Sequence, residues 1–138
     1  MAHTRAPNKP EEITTAWLNQ AISHRYPDVE ITDSRITESL WGNSGKVRVA
    51  LSYNRAGTEQ KLPGRVIVKG GYHRHGPEME YIYLNEMRFY RDIAPALSNI
   101  VPLCLFADQD PQNQQSLVIL EDLTLRDVTW CQIGRAHV

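Results

Sequence analysis

The sequence predicts an α+β fold: an antiparallel five-stranded sheet, a helix crossing between two of its strands, and an extra helix ahead of it. Three observations predict it. Val47, Val49 and Leu51 alternate with Arg48, Ala50 and Ser52, the period of a half-buried strand. The β-branched run Val66-Ile67-Val68 ends in Lys69, and after a glycine-rich break an amphipathic stretch carries Glu86. Two further apolar runs, 101–107 and 116–120, flank a polar loop at 108–115, as the arms of a hairpin do.

The chain has 138 residues, enough for one domain with a real core. Its net charge of −1 creates no field that would draw nucleic acid or an acidic membrane. No apolar run approaches the ~20 residues of a membrane-spanning helix, and the polar, proline-bearing start is not a signal peptide. Both cysteines are isolated. Cys104 sits in an apolar run and reads as a small buried hydrophobe, and neither it nor Cys131 has a metal-ligand spacing. A reducing, cytoplasmic setting without disulfides follows as the expectation.

Residues 1–9 are expected to be disordered. Pro10, Glu11 and Glu12 look like a helix start, with proline in the first turn and acids near the positive end of the dipole. Ile13, Trp17, Leu18, Ala21 and Ile22 share one helical face, so the spacing predicts a packing helix over 11–23, ended by Pro27. Residues 31–40 read as a strand of imperfect alternation, and 47–51 as its cleaner partner. Between them lies Trp41-Gly42-Asn43-Ser44-Gly45-Lys46. Two glycines in such a turn let backbone N–H groups converge on a phosphate, although most glycine-containing hairpins bind nothing. The stretch is not a Walker loop, because Val47 stands where Ser or Thr would be required. Residues 54–57 are expected as a turn, followed by a polar connection to the strand that ends in Lys69.

His73-Arg74-His75, in the break that follows, lacks a spaced carboxylate or thiol to close a metal site and reads as a solvated loop. Pro77 opens the next helix, where Met79, Ile82, Tyr83, Glu86, Met87, Tyr90 and Ile93 follow a 3–4 spacing. That places Glu86 on the apolar stripe, where a carboxylate needs a partner. Lys69 is the candidate. Paired with Glu86, its ammonium is held where nucleotide phosphates can reach it. The plainer alternatives are an exposed end charge on the strand and a glutamate at the stripe's edge reaching water.

The segments VIVKGG, NEMRFYRDIAP and LVILEDL, in this order, resemble the aminoglycoside phosphotransferase and choline-kinase-like superfamily, particularly its ecdysteroid-kinase-like branch. The resemblance covers roughly residues 30–123. It implies a protein-kinase-like N-terminal lobe over 10–123 that binds ATP. Lys69 would hold the α/β-phosphates and Glu86 would orient Lys69. Asn43, Ser44 and Gly45 would cover the phosphates, and the segment from Glu121 to Leu123 would be a hinge seating adenine through its main chain. The parent would be a small-molecule kinase moving the γ-phosphate of ATP to a hydroxyl group.

Such transfer also needs a carboxylate to position the hydroxyl, and ligands for Mg²⁺. The family carries them in a C-terminal lobe, and Asp108, Asp122 and Asp127 stand in no comparable context. Residues 124–132 read as the start of that lobe, and 133–138 (IGRAHV) as an adapter-derived tail, since its codons can spell a stretch resembling a common sequencing adapter. The expectation is therefore an inactive fragment whose intramolecular partner, the C-lobe, is absent. Leu123, Leu125, Val128 and Trp130 would then be left without their apolar partners. The alternative is a non-catalytic α+β binding domain in which Lys69 and Glu86 form a structural ion pair, with a pseudokinase-like regulator as a third reading.

Overall fold

The computed structural model describes residues 5–40, 45–70, 77–97, 100–112 and 115–123. Five strands, β1 (Ile31–Leu40), β2 (Gly45–Tyr53), β3 (Arg65–Gly70), β4 (Cys104–Asp110) and β5 (Gln115–Glu121), form one sheet in the order β1-β2-β3-β5-β4. Every neighbouring pair is antiparallel. Because β3 and β4 both run against β5, they are parallel to each other and need a crossover. Helix α3 (Pro77–Arg88) provides it and lies against β5 and β4. The α+β class and the five-stranded antiparallel sheet are as the patterning predicts. Among the described residues no helix is long and apolar enough to cross a membrane.

The two faces of the sheet are different in kind. Val47, Val49, Leu51, Val66, Val68, Leu117 and Ile119 join one large core with Leu18, Ala21 and Ile22 of helix α1 (Thr15–Ile22). The opposite parity of β4 and β5 forms a smaller cluster, in which Met87 of α3 meets Cys104, Val118 and Leu120. A bulge in β4 between Cys104 and Phe106 assigns residues to these faces. The extra residue lets Leu105 and Phe106 both join the α1 core, where Phe106 meets the Trp17 ring edge-on at 6.4 Å. Burial pushes the Cys104 thiol up, as befits a small apolar side chain.

Several local expectations are corrected. Residues 5–9, expected in a disordered arm, are held down: Ala6 is buried, its N–H donates to the Asp110 carboxylate at 2.7 Å, and the Trp17 indole donates to the Arg5 carbonyl. The first helix does not begin at Glu11. Pro10–Glu12 is a 3₁₀ turn, and α1 starts after Thr14, whose hydroxyl accepts from the Trp17 N–H. The turn expected at 54–57 contains a short helix, α2 (Arg55–Glu59), capped by the Asn54 side chain. The uneven alternation of β1 comes from two bulges, between Ile31 and Asp33 and between Ile36 and Glu38. The last hairpin is longer than expected, since β4 runs on to Asp110.

Candidate functional site

Lys69 and Glu86 are brought together. Lys69 opposes Val118 in the sheet, so it projects on the face that α3 covers. Its Nζ donates to Glu86 Oε1 at 2.7 Å, and each side chain is 24% exposed. Glu86 stands at the margin of the α3 stripe rather than on its centre line: Tyr83 and Met87 are buried, whereas Ile82 and Ile93 are more than half exposed. The pair is thus dry enough to hold its geometry and open enough for a ligand to compete for the ammonium.

A side-chain hydrogen bond ties α3 to β5 in this register. One turn and a half earlier, Glu80 Oε1 accepts from the buried Ser116 hydroxyl at 3.0 Å. Beneath the strand end, Gly70 lies so close to β5 that a Cβ there would collide with the Leu117 side chain and lie 2.7 Å from the Ser116 carbonyl. The Tyr83 phenol between the two glutamates is pushed up, first by burial and then by Glu86 and Glu80, and Tyr90 is pushed up by burial and Glu86. Both phenols therefore stay protonated beside the ion pair.

Lys46 opposes Lys69 directly across β2 and β3, so two cations stand side by side on one face at the end of the sheet. Like charges so placed repel, and Glu86 offsets part of that cost. Gly45 is the first ladder residue of β2, facing Gly70, and not part of a turn. Asn43 and Ser44 lie outside the described residues, as do His73, Arg74 and His75 and all of 124–138.

Further along the same face, Arg48, Ile67, Leu120 and Asp122 line a cavity of about 170 Å³ together with Pro102, Glu121 and Leu123. Here the expected hinge is only partly free to serve a ligand. The Glu121 N–H donates to the Leu103 carbonyl at 2.8 Å and the Asp122 N–H to the Arg65 carbonyl at 3.0 Å. Among the described residues the Leu123 N–H has no protein acceptor. Arg48 and Asp122, which the spacing did not single out, form an ion pair at 2.7 Å, and Arg48 Nε also meets Glu38 at 3.0 Å. A larger cavity, about 360 Å³, lies elsewhere, at the start of β4 between Arg25, Tyr26, Tyr90 and Pro95. It shares only Pro102 with the first, and neither cavity is lined by Lys69 or Glu86.

Among the described residues no group of three or more His, Cys, Asp or Glu side chains is arranged to hold a metal ion. Compared with known protein families, with curated proteins and with solved structures, the chain has no match.

Proposed function

We propose that this chain is the ATP-binding lobe, of protein-kinase-like N-lobe type, of a phosphotransferase that acts on a hydroxyl of a small molecule. The observation that carries the reading is the 2.7 Å Lys69–Glu86 pair spanning β3 and the crossover helix. Lys46 beside Lys69 adds a second cation where phosphates would lie, and the apolar cavity along the same face offers a place for the base. Lys69 contacts the phosphates, Glu86 orients it, and Leu123 offers a main-chain donor to the base. These residues bind and orient. The carboxylate that positions the hydroxyl and the ligands of Mg²⁺ belong, in this reading, to a second lobe following the hinge.

Titration calorimetry with ATP tests the reading. Wild-type chain is expected to bind, and Lys69→Met and Glu86→Gln to bind about tenfold more weakly or worse, the loss of a charge-assisted hydrogen bond. Equal binding by Lys69→Met, or none by wild type, would leave the pair as scaffold of an interaction domain.

A further inference from the structure

The cavity of about 360 Å³ at the start of β4 has no part in the nucleotide reading, yet its volume falls within the about 300–1,000 Å³ of pockets that take a whole small ligand. It lies where an edge strand of the sheet begins, and the two cores each lend it a wall. Tyr26, in the turn that ends α1, packs on the large core, and Tyr90 packs on the Met87 cluster. Tyr90 belongs to a π-helical turn, Phe89–Ile93, that follows α3; such turns are rare and recur at functional sites. Pro95, Pro102 and the exposed Leu103 add apolar lining. Arg25 supplies a cation. Among the described residues it has no carboxylate partner, and its Nη1 donates to the Cys104 carbonyl. A guanidinium carries five N–H donors in a fork, so that bond leaves donors for a ligand. Burial raises both phenols, so each keeps a proton to donate, and Glu86, which also raises Tyr90, is itself engaged by Lys69.

We propose that this cavity is a second binding site, for a small amphipathic carboxylate whose head meets Arg25 and whose apolar body lies between Tyr26, Tyr90 and the two prolines. A carboxylate matches the guanidinium fork in both shape and charge. A phosphate monoester, with up to two charges, would need more than one cation, and beside an apolar wall each unanswered charge is costly. A neutral apolar ligand would fill the lining and leave Arg25 unused. The site is separate from the Lys69 face, so the proposal stands without the nucleotide reading.

The test separates the head from the body. Octanoate, below the concentration at which it forms micelles, is titrated into the chain and followed by methyl NMR. Octanol and octylammonium, of the same chain length, serve as its neutral and cationic counterparts. Octanoate is expected to shift the Val101 and Leu103 methyls and leave those of Val118 and Ile67 in place. Octanol and octylammonium are expected to bind about tenfold more weakly or worse. Arg25→Met, at an exposed position, is expected to weaken octanoate about tenfold and leave octanol unchanged. Equal affinity of wild type for the three probes would make the cavity an unselective apolar hollow and overturn the proposal; this comparison needs no variant. Undiminished octanoate binding by Arg25→Met overturns it too, as do octanoate shifts centred on other methyls, or none at all.

Discussion

The two faces of the central strands are built from alternate residues of the same segments, yet they do different work. On the α1 side, Val47, Val49, Val66, Val68, Leu117 and Ile119 are buried and wholly apolar. On the α3 side the intervening positions are Lys46, Arg48, Ile67, Lys69, Val118 and Leu120. One face excludes water and supplies the burial that holds the sheet together. The other carries charges that are costly to bury, and two of them are answered by carboxylates: Glu86 for Lys69, and Asp122 and Glu38 for Arg48. A period of two thus lets one set of strands keep an apolar packing face and a charged face apart, because substitutions on one need not disturb the other.

The largest effect that sharpens this contrast comes from truncating the same residue type on each face. Ile119→Ala, in the α1 core, is expected to cost about 4 kcal/mol. Ile67→Ala, on the neighbouring strand but partly exposed, should cost about 1 kcal/mol. Denaturant unfolding of the two variants measures both, and equal losses would break the division between faces.

Next come the two ion pairs of the open face, both at 2.7 Å. Arg48→Met removes the guanidinium paired with the buried Asp122 carboxylate and is expected to cost about 3 kcal/mol. Lys69→Met leaves Glu86 able to turn to water and should cost about 1 kcal/mol or less. If Lys69→Met proved the more destabilising, the pair would be a structural clamp and the nucleotide reading would lose its basis.

The smallest effect concerns pH and belongs to the α1 side. Burial raises the Tyr53 phenol well above its ordinary value, with Tyr26 adding to the shift, and its hydroxyl donates to the Pro63 carbonyl at 2.7 Å. The folded state therefore retains a proton that the unfolded chain gives up near pH ~10. The stabilisation is full below that pH and is lost as pH rises toward the raised folded value. Tyr53→Phe should cost about 1 kcal/mol at neutral pH and show a shallower alkaline decline, so the two stability curves converge as pH rises. Parallel curves would mean that the Tyr53 proton is not linked to folding.

Much of this was legible in the chain because its signals are local. The alternation in β2 and the apolar run of β3 mark the strands, and the 17-residue step from Lys69 to Glu86 spans one strand end and one helix. The features that were not legible depend on contacts made after folding. Arg48 and Asp122 are 74 residues apart, and a charged residue at a polar parity reads as solvated until the sheet order places the end of β5 beside it. Asp110 holds the Ala6 amide 104 residues away. The bulges of β1 and β4 shift parity by one residue, which blurs a period of two without adding any residue signal of its own. The start of α1 differs from the expectation because Pro10 and the two acids after it form only a 3₁₀ turn, whereas the helix is capped by the Thr14 hydroxyl.

The most direct test of the division between faces is a methyl NMR titration of the chain with ATP. Resonances of Ile67, Val118, Leu120 and Leu123 are expected to shift together, while those of Val47, Val66, Val68 and Ile119 stay in place. Shifts centred instead on Val101 and Leu103, at the larger cavity, or no shifts at all, would contradict the claim that the Lys69 face binds nucleotide.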